Sequence, residues 1–129
     1  MIQKIRHFAS LASSYFREKS KLIRRSSEWG DLRDNFIKQN PTCAACGSKK
    51  HLQVHHIKPF HTNPELELKI TNLITLCMDT NECHLKIGHG GSFKTYNPDV
   101  ISDAQKYKKE TNKAARTMIE ESAKLKRKD

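Results

Sequence analysis

Four cysteines, arranged as Cys43-x2-Cys46 and Cys77-x5-Cys83, constrain this chain more than any other feature. The two pairs are about thirty residues apart. Two close pairs from separate segments are the usual supply for a tetrahedral zinc ion, which takes four soft ligands. The four cysteines meet that need with none left over. The second spacing is longer than the usual two to four residues, so "MDTNE" must bulge outward between its ligands. His84, next to Cys83, is the alternative fourth ligand.

The rest of the chain explains why a staple is needed. Only 36% of the 129 residues are hydrophobic, and the mean hydropathy is −0.77. One domain with extensions is the natural expectation at this length. So polar a chain buries little apolar surface, and small domains of that kind often depend on a metal or on disulfides. No apolar run approaches the ~18 residues of a membrane span, and no secretory signal is evident. A cytoplasmic, reducing setting is therefore the default expectation, and there a Cys-x2-Cys pair favours metal over disulfide. Residues 1–17 carry Lys4, Arg6 and Arg17, several serines and no acid, a mild transit-peptide look. An ordinary basic helix is the simpler reading.

The net charge is +10, and it is unevenly spread. Residues 1–40 carry +5, residues 41–100 carry +1 and residues 101–129 carry +4. Basic flanks around a nearly neutral middle favour a polyanionic partner, with nucleic acid ahead of a membrane. Arg24, Arg25, Lys106, Lys108 and Lys109 are the candidate DNA contacts.

Periodicity places the elements. Ile2, Ile5, Phe8, Leu11, Ala12, Tyr15, Phe16, Leu22 and Ile23 predict an amphipathic helix over residues 2–25. A second helix follows, with Trp29, Leu32, Phe36 and Ile37 on one face, Ser26 or Ser27 as its cap and Pro41 at its end. "HLQVHHI" and "NLITLC" are short β-prone runs, separated by a loop with two prolines. "CHLKIGH" opens a helix that Gly88, Gly90 and Gly91 cut short. From Ser102 onward the chain is helix-permissive and polar, ending in a charged tail. The expected units are a basic helix over 1–25, a central domain over 26–100 and a basic, helical extension over 101–129.

"VHHI" raises a separate question. Adjacent side chains in a strand point to opposite faces, so His55 and His56 cannot share one task unless the strand ends or bends there. A neutral imidazole can ligate a divalent metal or accept a proton near neutral pH. Phosphodiester hydrolysis needs both abilities: a base for the attacking water and a positive centre for the phosphate. His56 as a packed strand residue and Asn72 as a turn residue are the simpler alternatives. His51 and His61 are expected on the surface, and His7 within the first helix.

The pieces "CAACG", "VHHIKPF", "TNLITLC" and "CHLKIGH", over residues 43–89, together resemble the HNH endonucleases of the ββα-metal class. "PELEL", "GSFKTYNP" and the helix containing Trp29, Leu32 and Arg33 resemble parts of small bacterial and phage HNH proteins. That extends a looser likeness to residues 26–100. The resemblance implies an α+β fold, a small ββα-metal finger stapled by zinc with flanking α-helices at both ends. It implies a metal-dependent endonuclease that hydrolyses DNA, with His55 and His84 as ligands of a catalytic Mg²⁺, Mn²⁺, Ni²⁺ or Zn²⁺. His56 becomes the general base and Asn72 the brace that orients it. His89 becomes a third ligand, although it follows His84 by five residues rather than three or four. The competing expectation is a non-catalytic zinc-bound nucleic-acid module, or an accessory subunit of a larger phage or mobile-element DNA-processing complex.

Overall fold

The computed structural model describes residues 24–126. Most of the expected first helix and the last three residues of the charged tail lie outside this range. Helix α1 spans Trp29–Gln39, strand β1 Leu52–His56, strand β2 Leu73–Cys77 and helix α2 Val100–Lys126. Two single 3-10 turns, Pro64–Leu66 and Ile70–Asn72, lie between the strands, and a π-helical turn spans His84–Gly88. The result is a small α+β fold, a two-stranded antiparallel sheet flanked by helices.

α1 starts slightly later than its serines imply. Glu28 occupies the cap position and makes no side-chain cap bond. Ser26 still serves the helix entry, because its Oγ accepts the Glu28 N–H at 3.2 Å and its carbonyl accepts the Trp29 N–H at 3.2 Å. At the other end Asn40 Nδ2 donates to the Phe36 carbonyl at 3.0 Å, one residue before Pro41.

The strands pair Leu52 with Cys77, Gln53 with Leu76, Val54 with Thr75, His55 with Ile74 and His56 with Leu73. Paired residues share a face. Gln53, His55, Ile74 and Leu76 therefore form one face, and Leu52, Val54, His56, Leu73, Thr75 and Cys77 the other. Every residue of β2 is buried, whereas β1 is buried only at its two histidines.

The core is narrow. It consists of Cys43, Ala45, Ile74, Leu76, Cys77, Cys83, Val100 and Ala104, with Leu52, Ile57, Ile87 and Tyr107 packed at its edge. Three of its eight buried members are cysteines, so the apolar interior and the thiol cluster are one structure. Beyond its first two turns, α2 contributes nothing to this core, since Val100 and Ala104 are its only buried residues.

Candidate metal centres and cleft

The four cysteines converge. One Sγ from each of Cys43, Cys46, Cys77 and Cys83 lies within 4.8 Å of all the others, and Cys46 Sγ is 3.5 Å from Cys77 Sγ. A tetrahedral zinc with Zn–S near 2.3 Å separates its sulfurs by about 3.8 Å, so the donor set fits that ion. None of the four is in a disulfide. The turn "CAACG" makes the first pair possible: Gly47 N–H donates to the Cys43 carbonyl at 2.9 Å, and Gly47 has a φ of 76°. The five-residue spacer of the second pair does bulge. Thr80 and Asn81 are exposed, and Glu82 turns the chain back with a φ of 46°.

The thiols do not ionise alike. Burial raises Cys46, but the Ser48 backbone N–H, the Asn81 side chain and the neighbouring thiols outweigh it and bring the pKa down to about 7. Burial pushes the Cys77 thiol up. It pushes Cys83 up further, with the charges of Cys43 and Cys46 adding to the effect. Four thiolates would coexist there only with a dication at their centre to offset their mutual repulsion.

The histidines form a second cluster. One ring nitrogen from each of His55, His84 and His89 lies within 4.8 Å of the others. His55 Nδ1 is 3.1 Å from His84 Nε2, and the three ring centroids lie 4.9–5.0 Å apart. The unusual His84–His89 spacing has a local explanation. The His89 N–H donates to the His84 carbonyl at 3.1 Å, an i to i−5 bond. A π-turn of that kind brings residues five apart onto the same side, where an α-helix would bring those three or four apart.

Each of these two rings is held by an acceptor on its far side. His84 Nδ1 donates to Gln53 Oε1 at 2.6 Å, and His89 Nδ1 donates to the Thr95 carbonyl at 2.6 Å. Both bonds leave Nε2 with its lone pair, the tautomer a metal requires. Neighbouring acceptors of this kind commonly fix ligand rings. His55 adds a buried Nε2 with no hydrogen-bond partner. Burial, then the charges of His84, His89 and His56, pull the His55 pKa down to about 3. Burial and then His89 pull His84 down to about 4. Neutral imidazoles with one nitrogen each within 4.8 Å of the others fit a divalent cation. Gly88 makes the convergence possible: a Cβ there would stand 3.1 Å from Leu76 Cδ1 and 3.2 Å from both His55 Nδ1 and His84 Cδ2.

His56 faces the other way. Its ring stacks on Trp29 at 4.4 Å between centroids. Its Nε2 donates to the Glu67 carbonyl at 3.0 Å, so Nδ1 carries the lone pair. Burial lowers its pKa most. The Glu67 carbonyl opposes that shift, and the Arg25 guanidinium reinforces it. The loop bearing that carbonyl is pinned by Asn72. Its Oδ1 accepts the Lys58 N–H at 2.8 Å, and its Nδ2 reaches the Lys58 carbonyl at 3.1 Å and the Leu66 carbonyl at 3.4 Å.

Glu67 itself is buried. It accepts the Ser26 N–H at 3.0 Å and pairs with Arg25 at 3.4 Å. Arg25 thus sits in the cleft, its guanidinium 5.0 Å from the Trp29 ring and 4.8 Å from the Phe60 ring. Arg24 is exposed on the adjoining surface.

His55, His56, His84 and His89 open onto one cleft of about 450 Å³, whose rims include Arg25, Phe60, Phe93, Lys94 and Tyr96. His51 and His61 are exposed, and of the two only His61 reaches this rim. Lys106, Lys108 and Lys109 are exposed on α2, away from the lining. Sequence reasoning did not single out Gln53, Glu67 or Thr95. Gln53 had a readable signal, since it precedes His55 by two residues and so shares its strand face. Glu67 and the Thr95 carbonyl meet their histidines only through loops.

A two-stranded sheet, a thiol cluster and a three-histidine cluster beside a fourth histidine define a small α+β domain with two donor sets spaced as metal ligands are. Residues 43–90 match the family model described as HNH endonuclease. The family is one of nucleases. No curated protein and no solved structure matches the chain. Among the described residues, no helix is long and apolar enough to cross a membrane.

Proposed function

We propose that this protein is a metal-dependent endonuclease that hydrolyses phosphodiester bonds in DNA. One observation carries the reading: two adjacent histidines face opposite ways, have separate partners and open onto the same cleft. His55, His84 and His89 hold a divalent cation, which supplies Lewis acidity toward the phosphate. His56 takes the proton of the attacking water at Nδ1, while its Nε2–H remains fixed on the Glu67 carbonyl. Asn72 keeps that carbonyl in place by tying both ends of its loop. Arg25 lies beside His56 and bears positive charge toward a bound phosphate. The four cysteines hold a structural zinc. The catalytic unit is residues 26–100, and the basic segments 1–25 and 101–129 hold DNA.

A plasmid-nicking assay with added Mg²⁺, Mn²⁺, Ni²⁺ or Zn²⁺ tests this. The parent should cut with at least one of them. His56→Ala should still bind the cation but cut roughly 10²–10⁴-fold more slowly, the usual contribution of a positioned proton-transfer group. His55→Ala and His84→Ala should lose cation affinity, and excess metal should restore part of their rate. DNA binding without cutting in any metal would return the protein to the class of non-catalytic modules.

A further inference from the structure

The cleft rim carries a feature that hydrolysis alone does not require. Phe93 is 59% exposed and Tyr96 is 46% exposed, an unusual state for two large rings beside a reaction centre. Phe93 packs one side against the cluster, with ring centroids 5.0 Å from His89 and 5.9 Å from His84. Lys94 lies between the two aromatics in sequence and is also exposed. Across the cleft, Arg25 is held against Phe60.

The segment bearing these side chains is rigidly tied. Thr95 Oγ1 donates to the His89 carbonyl at 2.6 Å and approaches the Ser92 carbonyl at 3.0 Å. The Asn97 N–H donates to the Gly88 carbonyl at 3.0 Å, and Asn97 Nδ2 to the Ile87 carbonyl at 3.0 Å. The Thr95 carbonyl also holds the His89 ring. The rings are therefore presented from a framework shared with a ligand of the histidine cluster.

We propose that the cleft takes an unpaired DNA strand, with bases stacked on Phe93 and Tyr96 and a phosphate held by Lys94. The inference deepens the nuclease reading above and rests on it. An intact duplex offers this rim its sugar–phosphate backbone and the base edges in its grooves, but no free base face, because its bases are already stacked on one another. An unpaired strand offers both a base face and a phosphate. Aromatic rings interleaved with cations are the arrangement that binds single strands with little sequence preference. The positive charge of Lys94, which no salt bridge among the described residues offsets, selects an anionic partner over an apolar peptide.

The test compares a fluorescently labelled oligonucleotide with the same sequence closed into a hairpin duplex. Binding is read by anisotropy without added divalent metal, and cleavage is read with it. The single strand should bind and be cut about tenfold better. Phe93→Ala and Tyr96→Ala should each weaken single-strand binding roughly 5- to 100-fold and leave hairpin binding unchanged. Phe93→Trp should retain binding. Phe93→Leu, which keeps the packing on His84 and His89 but loses the aromatic face, should not. Equal handling of both substrates, or Phe93→Leu binding like the parent, would overturn the inference while leaving the nuclease reading intact. Selective single-strand binding without cleavage would sink the nuclease reading instead and keep the stacking surface.

Discussion

At the scale of single residues, strand alternation separates two neighbours that are chemically identical. His55 turns toward the π-turn and meets other imidazoles, while His56 turns toward Trp29 and the Glu67 carbonyl. The environment then assigns the nitrogen that each ring leaves available. Gly88 shows how tight this arrangement is, because any side chain there enters the space between His55, His84 and Leu76. Gly88→Ala should cost about 1–3 kcal/mol through overpacking. It should also weaken divalent-metal binding at the histidines by roughly tenfold, as disturbed ligand orientation commonly does. Calorimetric titration with Ni²⁺, on protein whose cysteine site is already filled with zinc, measures it. Parent-like affinity would mean that the rings can shift without losing the site.

At the scale of elements, α2 is the clearest case. Its 27 residues extend about 40 Å, and only the first two turns touch the core. At 100° per residue, Lys106, Lys109, Lys113 and Arg116 follow a 3-4-3 spacing down one face, whereas Lys108 points to the other side. No salt bridge among the described residues pairs any of them. Composition alone grouped Lys106, Lys108 and Lys109, and the helix divides that group. If the stripe holds phosphates, each lost contact reduces the log–log salt dependence of DNA affinity by about 0.7–0.9. Replacing all four stripe residues with Gln should flatten the slope by about 3, and Lys108→Gln alone should leave it almost unchanged. Anisotropy titrations across a salt series decide between this outcome and an unaltered slope, which would remove α2 from the interface.

At the scale of the whole molecule, stability and the thiol cluster are inseparable. Cys43, Cys77 and Cys83 are almost fully buried and form much of the core. Structural zinc contributes about 10–16 kcal/mol of apparent binding free energy in small metal-dependent folds. That matches or exceeds the total stability of about 5–15 kcal/mol of an ordinary domain. Elemental analysis should therefore find one zinc per chain after dialysis. Cys43→Ser, or prolonged chelation, should abolish the cooperative thermal transition seen by circular dichroism. A chain that remains folded without zinc would show that the apolar core suffices.

The sequence by itself determined what depends on nearest neighbours and on chemical type. Two cysteine pairs with no remainder specified a thiol cluster, and apolar runs of β-prone residues specified two short strands. The order of the cysteine, histidine and asparagine motifs pointed to an HNH domain. Spacing rules for an α-helix left His89 in doubt, because the π-turn that brings it beside His84 is a backbone choice invisible in "CHLKIGH". Arg25 read as one more flanking charge, until folding tied it to Glu67, 42 residues away. The partners of His56 and His89 are backbone carbonyls, and every residue type carries the same one. Tertiary structure alone decides which carbonyl faces a ring, since loop closure, not side-chain identity, sets where a carbonyl points.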